Sequence, residues 1–172
     1  MLNKFTTTLA SLFIGISSVH AAEIPSKFYL PTNVAEQIAK EAIAECNAVN
    51  VPISVSVVND QGRLLYFNRG EGTGSNTVHT SFRKAYTSAT LKAPTSALTA
   101  AVEAKGFSQL GKMEDDILIL TGGLPITYKG TVIGAIGLSG APNPLIEEEC
   151  GKKAISKICL LYTSDAADEW IG

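Results

Sequence analysis

The chain has 172 residues, 45% of them hydrophobic, which is enough for one domain with a sizeable core. Lys and Arg number 14 against 16 for Asp and Glu, with no basic stripe and no aromatic-interleaved basic patch. That pattern excludes a nucleic-acid surface, and three scattered cysteines with two histidines exclude a zinc site of the usual spacing.

Residues 1–21 read as a secretory signal rather than as part of the domain. Lys4 supplies a positive start, Leu9–Ile16 is an apolar run too short to span a bilayer, and Val19-His20-Ala21 offers small residues for cleavage. The expected product starts at Ala22, is exported to the periplasm or beyond, and carries no membrane anchor. His20 leaves with the signal, so His79 is expected to be the single histidine of the mature chain.

Ala22–Pro31 is an extended lead-in with two prolines. Thr32 or Asn33 opens a helix, Glu36 completes a capping box with Asn33, and the helix runs to about Ala48. Its apolar face holds Ala35, Ile38, Ala39, Ala42, Ile43, Cys46 and Val49. Ile53, Val55 and Val57 alternate with Ser54 and Ser56, which predicts a half-buried strand. Asp60-Gln61-Gly62 turns the chain, and Arg63–Asn68 returns as a hairpin partner. Gly70–Ser75 is a glycine-rich loop without the Lys-Ser/Thr ending of a phosphate-binding loop.

A second helix is predicted from Ser75, Asn76 or Thr77 to about Leu91, and a third from Pro94 to about Lys105 with Gly106 as its C-cap. Phe107–Glu114 is a loop, and Ile117–Thr121 is expected as a third strand. Gly122–Gly140 then reads as a hairpin, Leu124–Tyr128 and Thr131–Leu138 about a Lys129-Gly130 turn. Its second strand alternates Val132, Gly134, Ile136 and Leu138 with Ile133, Ala135 and Gly137, so both faces are apolar. Glycines at such spacing mark either a tightly packed central strand or the floor of a ligand pocket or subunit contact. One layer of helices covers one face, so a second copy of the chain is expected to cover the other. Pro144 starts a last helix with the stripe Ile146, Cys150, Ala154 and Ile158. The order α-β-β-α-α-β-β-β-α, rich in hairpins, gives an α+β fold with a mostly antiparallel five-stranded sheet.

No nucleophile elbow is present, and a Ser-His-Asp triad would need His79 without a serine in a suitable turn. Asp115 and Asp116 are adjacent and point apart in a strand. Glu147–Glu149 sit in the first turn of a helix, where negative charge is favourable. The pattern therefore favours a binding protein over an enzyme. The constellation with most chemistry is His79, Arg83 and Lys84 on one helix, with His79 and Arg83 sharing a face. A neutral imidazole can ligate haem iron or cobalt, and Arg or Lys can pair with propionates. The alternative is a surface histidine near a helix start.

The run GGLPITYKGTVIGAIGLSG, with VSVVNDQGRLL and RKAYT upstream, resembles the GlcG/HbpS family, which includes the C-terminal domain of PduO-type proteins. Asn59 and Leu138 stand where the family commonly has Asp and Val. The resemblance implies a profilin-like domain over residues 22–158. It also implies a haem ligand, with a corrinoid as alternative, and a homo-oligomer assembled from dimers. An enzyme acting on haem and a cofactor-free, partner-binding oligomer are the other readings. In a profilin-like arrangement the terminal helices pack side by side, which would bring Cys46 and Cys150 together as a disulfide or as two buried thiols. The string CLLYTSDAADE from Cys159 resembles a translated sequencing adapter and begins where the family resemblance stops. Residues 159–172 are therefore read as a tail, with no function assigned to Cys159, Asp165 or Trp170.

Overall fold

A computed structural model describes residues 26–168. The expected signal segment and Trp170 lie outside the described residues. The elements are α1 (Thr32–Asn47), β1 (Ser54–Asn59), β2 (Leu64–Asn68), α2 (Thr77–Leu91), α3 (Thr95–Lys105), a 3-10 turn (Leu110–Lys112), β3 (Gly123–Tyr128), β4 (Thr131–Ser139) and α4 (Pro144–Asp168). The class is α+β, and the strands form one antiparallel sheet in the order β2-β1-β4-β3.

The sheet has four strands, not five. Ile117–Thr121 joins no ladder, because side chains of α2 satisfy its backbone instead. Arg83 Nη2 donates to the carbonyls of Asp115 (2.7 Å) and Ile117 (3.1 Å), and the Leu118 amide donates to Thr87 Oγ1 at 2.7 Å. An apolar run predicts burial, and Ile117 is buried, but it does not say which groups take the hydrogen bonds. The start of α1 also differs from expectation. Pro31 occupies the N-cap position with no side-chain cap, so the Asn33–Glu36 box is not used.

The two faces of the sheet are covered within one chain. Helices α1 and α4 lie together on one face, packing Ile38, Ala39, Ala42 and Ala154 against Val55, Val57, Ile136 and Leu138. Helix α2 lies on the other, where Ala85 and Ala89 meet Val58 and Ala135. The uncovered-face argument for a second copy therefore fails, since α2 supplies the cover. The same helix explains β1, which is buried on both sides rather than half-buried. Its serines point at α2 and find hydroxyl partners there: Ser54 Oγ with Thr77 Oγ1 at 2.8 Å, and Ser56 Oγ with Ser81 Oγ at 2.9 Å. Burying a hydroxyl costs free energy unless it is paired, and here the pairing is complete.

The glycine-rich strand is a packing device. A Cβ on Gly137 would lie 2.0 Å from the Ser81 carbonyl oxygen and 2.5 Å from the Ala85 nitrogen, so the backbone of α2 rests directly on β4. Beside Gly137 the strand is tightly packed, and the space there is filled by helix rather than ligand. The side-chain alternation is broken once. The pairing steps from Ile126↔Gly134 to Thr127↔Val132, leaving Ile133 as a bulge whose side chain joins the core of Ile136 and Leu138. The hairpin turn has Lys129 at φ 46° and Gly130 at φ 76°, the two positive values that match the twist of paired strands.

Cys46 of α1 and Cys150 of α4 form a disulfide, with their Cα atoms 5.5 Å apart and a sequence separation of 104. It fastens the first helix of the domain to the last across the α1–α4 seam.

Candidate functional site

Helix α2 places His79, Arg83 and Lys84 in three different surroundings. His79, in the first turn, is exposed and takes no hydrogen bond or ion pair among the described residues. Arg83, one turn further on, is half-buried and committed to the carbonyls at 115 and 117, while its Nε is buried without a partner. Through Nη2 it straps that connecting segment to α2.

Lys84 is not available to a ligand at all. Its side chain is 3% exposed, and Nζ lies 2.5 Å from Glu147 Oε2 and 2.9 Å from the Leu138 carbonyl oxygen. Glu147, equally buried, uses its other oxygen to accept from the amides of Gly140 (2.9 Å) and Ala141 (3.1 Å). Burial pushes the Lys84 ammonium below its ordinary value and the Glu147 carboxyl above its own, with the partner's charge opposing burial in each case. The expected role of Lys84 in holding a propionate is thus corrected: the helix turns it inward, to a fixed counter-charge.

The Gly122-Gly123 pair makes room for this contact. A Cβ on Gly122, whose φ is 120°, would fall 2.5 Å from Glu147 Oε2 and 2.8 Å from Lys84 Nζ. A Cβ on Gly123 would fall 2.3 Å from the Lys84 carbonyl oxygen, and its amide donates to Thr95 Oγ1 at 2.8 Å. Sequence reasoning missed Glu147. The sequence shows three glutamates in a first helical turn, the usual sign of exposed, dipole-stabilising charge, and nothing local distinguishes Glu147 and Glu148, which are buried, from Glu149, which is exposed. The pair fastens α2 to the first turn of α4.

A second feature lies on the opposite face of the sheet. The lead-in before α1, α1 itself and the β3–β4 hairpin enclose an apolar cleft of about 240 Å³, lined by Phe28, Tyr29, Val34, Ile38, Ile126 and Tyr128 among others. That is below the ~300–1,000 Å³ of sites that enclose a drug-sized ligand, so a haem would not be contained there. As a partner for haem iron, the exposed imidazole of His79 fits and Lys84 does not. No group of three or more His, Cys, Asp or Glu arranged for a metal ion occurs among the described residues. None of the described helices is long and apolar enough to cross a membrane.

Comparison with known proteins places this geometry in a family. An uncharacterized 15.0 kDa protein from the dhaT–dhaS intergenic region of Citrobacter freundii is 36% identical over 109 residues, 62% of this chain and 76% of that protein. A double mutant of HbpS from Streptomyces reticuli superimposes with a TM-score of 0.73 at 28% identity, covering 83% of this chain and 97% of that one. Klebsiella pneumoniae ORFY gives 0.71 at 25% identity, covering 80% and 98%. A PduOC–haem complex gives 0.69 at 21% identity, covering 75% and 94%, a likeness of fold. The family model described as "Haem degrading protein HbpS-like" matches residues 30–156, the whole span from the end of the lead-in to the middle of α4, and the chain belongs to that HbpS-like family.

Proposed function

We propose that this protein binds a tetrapyrrole, haem in the first place and a corrinoid as the alternative, with His79 as the protein ligand to the metal. The observation that carries the reading is the His79 imidazole, exposed at the start of α2 and uncommitted to any described protein group. The family's description, which names haem, supports the ligand class. Haem would supply an iron that accepts an imidazole nitrogen. The chain's own part is to hold that imidazole on a helix whose packing face is locked to β4, while Arg83 fixes the 115–117 segment one turn along. Titration with haemin, followed by absorbance, tests this. His79→Ala is expected to abolish the Soret shift or weaken binding at least about tenfold, with fold and mass unchanged. An unaltered spectrum and affinity would remove His79 from the site. Turnover of haem is the second reading, favoured by the family's description as haem-degrading. Steady release of product from bound haem would distinguish it from simple capture.

Export and self-association belong to the same proposal. The Cys46–Cys150 disulfide supports an oxidising compartment, in line with the signal-like start of the sequence. Phe107, Met113 and Leu120, at 50%, 63% and 42% exposure, leave the segment after α3 with apolar side chains in water. Apolar side chains exposed along one segment offer contact surface, and support a homo-oligomer of at least two copies. Light scattering at micromolar concentration is expected to give a dimer or a larger assembly, and a monomer would end this part of the reading.

A further inference from the structure

Two of the rings that line the apolar cleft, Phe28 and Tyr128, have a cation, Lys129, held over them. We infer that the cleft is a binding site for a monocarboxylate with an apolar body of about eight to ten carbons, the size that fills the cleft at ~30 Å³ for each water-sized group. The inference does not rest on the haem reading, since His79 lies on the other face of the sheet.

The walls are core residues: Leu30, Ile126 and Ile133 are buried and belong to the α1–α4 cluster. The outer part is aromatic. Phe28 meets Tyr128 edge to face with centroids 5.0 Å apart, although Phe28 is 46% exposed. An exposed ring held in this way offers apolar surface to something beyond the chain's own core. Lys129, at the tip of the hairpin turn, brings Nζ to 5.4 Å from the Tyr128 centroid and 5.7 Å from that of Phe28. It has no salt bridge among the described residues, whereas the nearby Lys27 is neutralised by Asp60. A cation without a carboxylate partner among the described residues, held over two rings of an apolar cleft, matches a ligand with an anionic head and a hydrocarbon body. A neutral hydrocarbon would use only the walls, and a simple anion would use only Lys129.

Isothermal titration of the purified full chain with decanoate and with decanol tests the assignment. Decanoate is expected to bind saturably at one site per chain. Lys129→Gln should weaken decanoate about three- to fivefold, as for an exposed ion pair, and leave decanol unchanged. Val34→Phe, which fills the cleft from α1, should abolish binding of both without lowering thermal stability. His79→Ala should leave decanoate binding intact even where it removes haem binding, which separates failure of this inference from failure of that one. No saturable binding, as when another part of the chain or a second copy fills the cleft, overturns the inference. So does decanoate binding indifferent to Val34→Phe, or equal weakening of decanoate and decanol by Lys129→Gln.

Discussion

Replacing Lys84 with Met is expected to cost about 3–5 kcal/mol at pH 8, the range for removing one partner of a buried ion pair. The ammonium is 3% exposed and the carboxylate it faces is 2% exposed, so the substitution leaves a charge that water cannot reach. Met keeps the volume of the stem, so the loss reports charge rather than a cavity. The double variant Lys84→Met/Glu147→Gln is expected to recover most of the stability. Gln can still accept from the amides of Gly140 and Ala141, and no charge remains buried.

The pH dependence follows from the directions of the two shifts. Burial raises the Glu147 pKa above 4.5, so the native protein holds this proton more tightly than the unfolded chain. The stability it contributes is full below pH 4.5 and is lost as pH rises through the raised value. Lys84 has the opposite sense. Its pKa falls below 10.5, so its burial is unfavourable at low pH and the penalty fades as pH rises from the lowered value toward 10.5. In Lys84→Met the cation that holds the carboxyl down is gone, and Glu147 titrates higher still. Its deficit is therefore expected to shrink between pH 8 and pH 5. Guanidinium unfolding at both pH values measures it. A loss below about 1 kcal/mol, or one independent of pH, would show that the pair is not the fastening described.

Removing the disulfide should have an effect of similar size by a different route. The bond closes a loop spanning 104 residues, and Cys46→Ala/Cys150→Ala is expected to lower stability by about 4–5 kcal/mol in the chain-entropy account. That corresponds to a fall in Tm of roughly 10–15 °C for a domain of this size. The loss arises mainly in the unfolded state, so α1 and α4 should remain side by side in the folded variant. Their shared contacts with the sheet, from Ile38, Ala42 and Ala154, survive the substitution. Calorimetry of the oxidised protein and the double variant makes the comparison. Equal Tm values would mean that the bond closes no loop that unfolding would otherwise open.

Periodicity and punctuation were enough to place most elements. The helical stripes of Ala35–Cys46 and Ile146–Ile158, the Lys129-Gly130 turn and the Gly106 cap are local signals, set by side-chain volume, backbone freedom and capping chemistry. The helix stripes also carried Cys46 and Cys150 on their buried faces, which is why a bridge between them could be considered at all. The fifth strand was misread for a reason of principle. Ile117–Thr121 has the composition of a strand, but a strand is defined by its hydrogen-bond partners, and here these are Arg83 and Thr87 on a helix thirty residues away.

The candidate site divides in the same way. Sequence spacing determines that His79 and Arg83 share a face of α2 and that Lys84 stands beside them on the same helix. It cannot determine which of them meets water. That depends on where β4 and α4 lie, and the close approach allowed by Gly137 and Gly122 turns Lys84 inward to Glu147, 63 residues later in the chain. Burial and charge pairing are sums over neighbours distant in sequence, whereas propensity and periodicity are sums over neighbours along it. The chain by itself therefore determined the family, the helices and the turns. Tertiary structure alone decided that Ser54 and Ser56 are core residues, that Lys84 is a structural cation, and that Lys129 lies over the rings of Phe28 and Tyr128.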